Sequence, residues 1–312
     1  MLEGKSVAVV VPAYNEETLV GATVADIPSF VDRIVVVDDA SSDATSERAA
    51  AGDPRVEVIR QEKNRGVGAA IVTGYKKAIE DEVDVTCVMA ADGQMAPEDL
   101  ETLVRPVALD EVDYAKANRL VTGQAWELIP HNRYLGNAAL SFLTKIASGY
   151  WHIADSQSGY TAVDLETLKM VDLDRLYPRY GFPNDMLVHL NVWNRRVRDF
   201  PSRPIYGVGE KSGIKIRAVV PKISWLLLKG FLWRLREKYV IRDFHPLVLF
   251  YALGFIALAI GVGLGISVTV LRILGNAVPA GTVVLIALLI VAGLQFSLFA
   301  MWFDMETNKE LK

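Results

Sequence analysis

Apolar and polar positions change rhythm along this chain. Over its first third, short apolar runs alternate with segments of helical periodicity. Val7–Val11, Arg33–Val37, Val56–Arg60 and Val83–Met89 are rich in β-branched residues and bounded by polar loops, which predicts four strands. Between them Glu16–Ala25, Asp43–Ala51 and Gly66–Glu80 read as helices. Such alternation predicts an α/β fold, βα units around a mostly parallel sheet covered on both faces.

Further on the rhythm is helical throughout. Trp225, Leu228, Leu232, Leu235 and Tyr239 repeat at helical spacing with Lys229 and Arg236 off the stripe. That is the pattern of an amphipathic helix, lying in a membrane interface or docked on the preceding domain; the mixture of Trp with Lys and Arg suits lipid headgroups. Pro246–Leu271 and Ile273–Phe303 then contain no charged residue. A bilayer core needs about 20 apolar residues in helical form, so two membrane-spanning helices are expected, joined by a turn at Arg272, Gly275, Asn276 and Pro279. Nine basic residues, from Lys211 to Arg242, precede the first span, and Lys309 and Lys312 follow the second; the turn offers Arg272 alone. Positive residues stay inside, which places a multi-pass protein in the cell membrane with its N-terminal domain and C-terminal tail cytoplasmic. The expected divisions are a domain at 1–215, a juxtamembrane amphipathic region at 216–244, two spans at 245–303 and a tail at 304–312.

Composition sharpens this reading at three points. Apolar residues make up 51% of the 312, and the excess gathers after His245. A net charge of -4 gives no compositional case for nucleic acid. The single cysteine, Cys87, excludes an intramolecular disulfide framework and, in its apolar run, reads as a small buried hydrophobe. Met1–Ser6 does not read as a secretory leader.

In parallel sheets ligands bind at the carboxyl ends of strands, so the residues after each apolar run carry the chemistry. There the chain reads Pro12-Ala13-Tyr14-Asn15-Glu16, Asp38-Asp39-Ala40-Ser41, Asn64-Arg65-Gly66-Val67-Gly68 and Asp92-Gly93-Gln94. Each loop also has the composition of turns and helix caps; four on one predicted edge point to a site. Gly66-Val67-Gly68 lacks the third glycine of a dinucleotide-binding turn, since Ile71 stands near its place, and it follows the third strand.

The stretches VVVPAYNEE (Val9–Glu17), IVVVDDASSDAT (Ile34–Thr45), NRGVGAA (Asn64–Ala70), VMAADGQMAPEDL (Val88–Leu100), ANRL (Ala117–Leu120) and DSQSGY (Asp155–Tyr160) occur in one order. The chain resembles the family 2 glycosyltransferases of GT-A fold, which is Rossmann-like with a mostly parallel sheet, and within them the dolichol- or polyprenyl-phosphate sugar synthases. The resemblance implies that Pro12, Tyr14 and Glu16 contact the nucleoside of a nucleotide-sugar, with Asp38 and Asp39 near base and ribose and Asn64 beside them. It implies that Asp92, with Gln94, holds a divalent metal, Mg2+ or Mn2+, on the diphosphate. The related loop reads Asp-x-Asp-x-Gln; here Ala90 takes the first place. Arg119 and Arg133 match basic positions that meet an acceptor phosphate, and Asp185 in Gly181–Asp185 matches an acidic residue on the acceptor side.

An anionic lipid phosphate needs cations to aim it, and guanidinium fits phosphate oxygens in a planar fork. A sugar hydroxyl on a lipid-linked glycan would need a general base instead, with Asp185 the candidate. The expected activity is therefore inverting transfer of a sugar from a UDP- or GDP-sugar to a polyprenyl or dolichyl phosphate. A hydroxyl acceptor is the alternative, and a non-catalytic nucleotide-sugar-binding protein follows as the reading Ala90 keeps open. Expected partners are the donor, the lipid phosphate and the bilayer, and Gly254, Gly261 and Gly265 leave homo-oligomerisation through the spans open.

Overall fold

The computed structural model describes residues 1–121, 131–203, 205 and 216–312, with backbone alone at 131–135 and 216–219. Its described residues divide into two compact units, Met1–Leu232 with Glu310–Lys312, and Trp233–Lys309.

The first unit is a seven-stranded sheet in the order β3-β2-β1-β4-β6-β5-β7. The strands are β1 (Val7–Ala13), β2 (Arg33–Asp38), β3 (Val56–Arg60), β4 (Val85–Val88), β5 (Tyr114–Asn118), β6 (Thr161–Asp164) and β7 (Val197–Pro201). The four expected strands are present and pair in parallel. β6 runs antiparallel between β4 and β5, and β7 pairs parallel with β5. Alternate residues of β1 serve opposite faces, as a period of two requires. Val7, Val9 and Val11 join a core with α1 (Val20–Ala25) and α4 (Leu100–Ala108), while Val10 packs with α3 (Val67–Glu80) and α7 (Phe182–Val192). Both faces are therefore covered, and every residue of β1 is buried.

The helix expected at Glu16–Ala25 begins only at Val20. Asn15 takes a left-handed φ of 55°. Its N–H donates to Ser41 Oγ and that of Glu16 to Thr45 Oγ1, both at 2.9 Å. The first turn is thus spent on bracing the neighbouring loop. The next helix, α2, runs over Thr45–Ala50.

Among the described residues this unit also contains α5 (His131–Ser148), α6 (Leu165–Met170) and the first part of α8 (Ile216–Arg236). The expected α8 stripe is divided. Trp225, Leu228 and Leu232 are exposed, whereas Leu235 and Tyr239 are buried. A different face, Ile223, Leu227 and Phe231, faces inward. Gly230 sits where a Cβ would press on Val188 of α7 at 3.3 Å. The helix is apolar on two sides because one is docked and the other is not, with Lys229 Nζ 5.3 Å from the exposed Trp225 ring.

In the second unit α9 (Leu247–Ile273) and α10 (Ala280–Thr307) form a hairpin, both long and apolar enough to cross a membrane and largely exposed along their length. Gly254, Gly261 and Gly293 are consumed by this pairing: a Cβ on Gly261 would lie 2.9 Å from Ile290, and one on Gly293 2.7 Å from Leu258. Gly254 and Gly261 therefore serve the close packing of the hairpin itself. At one end Arg234 pairs with Asp304 through Nη1 and Nη2 at 2.8 and 2.9 Å, both side chains fully buried. Tyr239 donates to Asp304 at 2.7 Å, and Lys238 to Asn308 at 2.7 Å.

Candidate active site at the sheet edge

The parallel strands β1, β2, β3, β4 and β5 deliver their carboxyl ends to one edge, where the predicted loops meet. The first two loops are stitched together. Asn15 Oδ1 accepts from Ser42 N at 2.8 Å, and Asp39 N donates to Ala13 O at 2.9 Å. Pro12, inside β1, accepts from Ala91 N at 3.3 Å and so ties the loop after β4 to the end of β1. Glu16 heads this turn, its carbonyl accepting from Leu19 N and Val20 N. Tyr14 stands with its ring half-exposed beside it.

The two aspartates brace the loops around them. Asp38 is fully buried, accepts from Ser41 N at 2.8 Å and from Ser46 Oγ, and lies 3.9 Å from Arg60 Nη1. Asp39 accepts from Arg65 N at 2.7 Å and Gly66 N at 2.8 Å. A carboxylate that receives backbone N–H groups fixes a loop; Asp39 thereby holds the exposed Asn64 and its neighbours against the end of β2.

The glycines of Gly66-Val67-Gly68 have a steric cause. Gly66 has φ 102°, and a Cβ there would lie 2.6 Å from Pro178 O; one on Gly68 would lie 2.8 Å from Pro178 C. They admit the segment at Tyr177–Arg179 against the start of α3, where Ala69 N donates to Pro178 O at 3.0 Å.

After β4 the chain turns through Ala90–Gln94. Gly93 takes φ 70°, and Gln94 N donates to Asp92 Oδ1 at 3.1 Å. The donor set here is one carboxylate and one amide oxygen, both hard. Among the described residues, no group of three or more His, Cys, Asp and Glu side chains is arranged to hold a metal ion. This fits a magnesium-type ion that shares phosphate oxygens and keeps several waters, and does not fit an all-protein cage.

Across the sheet, Arg119 follows β5. Its Nε donates to Asp155 Oδ2 at 2.8 Å and its Nη2 to Asp155 Oδ1 at 3.2 Å, a two-point pair with a fully buried carboxylate. Burial would raise the Asp155 pKa, but the charge and hydrogen bonds of Arg119, helped by Lys116, hold it below its ordinary value. The Arg133 position lies in α5, and its side chain is outside the described residues.

Asp185, in the first turn of α7, is buried and accepts from Tyr177 N at 2.8 Å. Burial pushes its carboxyl up to about 6 against that hydrogen bond. Its neighbour Asn184 is the one that meets the Asp155 loop, its Oδ1 accepting from Gln157 Nε2 at 2.7 Å and from Thr144 Oγ1 at 2.9 Å.

The sequence model of glycosyl transferase family 2 matches residues 8–169, which spans the strand-end loops just described up to α6. This chain belongs to that family. Among similar proteins is the UDP-N-acetylglucosamine--dolichyl-phosphate N-acetylglucosaminyltransferase of Methanococcus voltae, 30% identical over 218 residues, 65% of this chain and 86% of that protein. The undecaprenyl-phosphate mannosyltransferase of Micrococcus luteus is 31% identical over 229 residues, 70% of this chain and 93% of that one. Among solved structures, glucosyl-3-phosphoglycerate synthase from Mycobacterium tuberculosis, in complex with Mn2+, UDP and glucosyl-3-phosphoglycerate, superposes with a TM-score of 0.54 at 18% identity, covering 74% of this chain and 80% of that one. That likeness concerns the fold, and it identifies the sheet of this family 2 transferase as GT-A.

The transferase has polar residues at the site that sequence reading passed over: Lys116, Gln157, Asn184 and Asp199. Lys116 was legible as the one charge in the strand-like Tyr114–Asn118. The others gave no periodic signal, because their pairing joins segments distant in sequence.

Proposed function

We propose that this glycosyltransferase moves a sugar, with inversion, from a nucleotide diphosphate-sugar to a polyprenyl or dolichyl phosphate at the cytoplasmic face of a membrane. The observation that carries this reading is the Arg119 guanidinium, fixed at the carboxyl end of β5 by the two hydrogen bonds it donates to a buried carboxylate. A preset guanidinium suits an anionic nucleophile, which needs aiming and desolvation but no general base. Both named relatives carry a lipid phosphate in their names. Tyr14 and the loops braced by Asp38 and Asp39 would seat the nucleoside, and Arg133 would join Arg119 on the acceptor. A divalent ion at Asp92 and Gln94 would offset charge on the departing diphosphate as a Lewis acid. The hairpin α9–α10 would anchor the enzyme, and Arg236 and Arg242 before it, with Lys309 and Lys312 after it, favour a cytoplasmic catalytic unit.

Asp185 favours a second reading. A carboxyl raised to about 6 has the basicity of a general base, as a sugar-hydroxyl acceptor requires. The test is to incubate the purified protein with undecaprenyl phosphate, a panel of UDP- and GDP-sugars, and Mg2+ or Mn2+, and to weigh the extracted lipid. A lipid heavier by one sugar, lost in Asp92→Ala, supports the lipid-phosphate reading. Nucleotide release on adding a lipid-linked glycan, with undecaprenyl phosphate unchanged, would refute it and favour the hydroxyl acceptor.

A further inference from the structure

Lys116 is fully buried in the middle of β5. Directly across from it on β7 stands Asp199, and the Asp155–Ser158 loop packs against both strands. Lys116 Nζ donates to Ser158 O, and the charges of Asp155 and Asp199 both act on it. Asp199 accepts from Asn118 Nδ2 at 2.9 Å and from Ala154 N at 2.6 Å. The same loop is tied on its other side by Gln157 to Asn184. Asp155 is thus carried by a loop held at Ala154, Gln157 and Ser158, and it presents both oxygens to Arg119.

Desolvating such ions is costly before pairing offsets it. A methionine at 116 would fill the strand without that cost, so packing alone gives no reason for a lysine. Of Lys116, Asp155 and Arg119, the one that reaches solvent is Arg119, at the end of the strand, 24% exposed against 0% for Asp155.

We infer that Asp155 and Lys116 are positioning residues: Lys116 pins the Asp155–Ser158 loop to the sheet, and Asp155 aims the Arg119 guanidinium at the phosphate of the acceptor. The inference rests on the lipid-phosphate reading of the site. Neither residue needs to touch substrate; both act through Arg119.

The test uses the full-length protein in lipid nanodiscs, with equilibrium binding of undecaprenyl phosphate and, separately, of UDP. Asp155→Asn and Lys116→Met are made in the wild-type and in the Arg119→Gln background. Each single substitution is expected to weaken undecaprenyl phosphate binding by about tenfold to a hundredfold, the scale of a misplaced binding group, with UDP binding unchanged. In the Arg119→Gln background the same substitutions should cost nothing further, because residues that act through one group are not additive. Losses that add in full, that fall equally on UDP, or that do not occur overturn the inference. Asp155→Asn conserves shape and serves if Lys116→Met does not fold. If the wild-type protein binds no undecaprenyl phosphate, the acceptor reading fails and the inference falls with it; wild-type binding with unaffected variants refutes the inference alone.

Discussion

Asp185 stands where a catalytic base and a loop anchor would both be written in sequence, and one substitution separates them. Asp185→Asn keeps an oxygen for Tyr177 N, which now donates at 2.8 Å, and removes the charge. Burial lifts this carboxyl from its ordinary 3.8 to about 6. A raised acid pKa means the folded protein holds the proton more tightly than the unfolded chain. Stability contributed by this group is then present at low pH and is lost as pH rises toward and through 6. At ~1.4 kcal/mol per pH unit, the wild-type protein should lose about 2–3 kcal/mol between pH 4 and pH 7.5 that the asparagine variant keeps. The assay is thermal unfolding of both proteins in the same detergent at the two pH values. The difference between variant and wild type should widen in favour of the variant as pH rises. A difference that is constant with pH, or that widens in favour of wild type, refutes the reasoning. Transfer assays on the same samples decide the role. An anchor leaves turnover with undecaprenyl phosphate near wild type, whereas loss of a general base costs about 100-fold or more.

Other outcomes follow from single contacts. Gly68→Ala should lower the unfolding temperature and nucleotide affinity together, since the added Cβ would meet Pro178 C at 2.8 Å and displace the Tyr177–Arg179 segment; calorimetry and UDP titration check both. Ala90→Asp adds a second carboxylate two residues before Asp92 and should lower the Mg2+ or Mn2+ concentration for half-maximal transfer; an unchanged metal titration counts against a metal at this loop. Asp304→Ala leaves the fully buried Arg234 without its carboxylate and should cost about 3–5 kcal/mol, seen as a lower unfolding temperature in detergent. Asn276→Cys, in the exposed turn between α9 and α10, should react in intact cells with a thiol reagent that does not cross membranes, against little background from the buried Cys87; protection of that site reverses the proposed orientation.

The sequence alone determined the local physics of this protein. The four parallel strands were legible because apolar β-branched runs bounded by polar loops have few other uses. The hairpin α9–α10 was legible because long uncharged apolar helices also have few. The loops at Asp38, Asn64 and Asp92 were legible as a set because parallel strands put their ends on one edge. Tertiary structure decided what depends on partners distant in the chain. The antiparallel β6 between β4 and β5 is a matter of pairing, which no period encodes. The apolar stripe of α8 divided because a helix with two apolar sides buries the one its neighbour fits, and here that is the side of Gly230 against Val188. The missing third glycine already spoke against a dinucleotide-binding turn at Gly66 and Gly68, but their steric reason came only from the segment at Pro178 packed against them. Asp155 acquired its role from Arg119, 36 residues before it, and Lys116 from a strand and a loop on either side. Periodicity reports which face of an element is apolar; only packing selects the polar group that each buried charge meets.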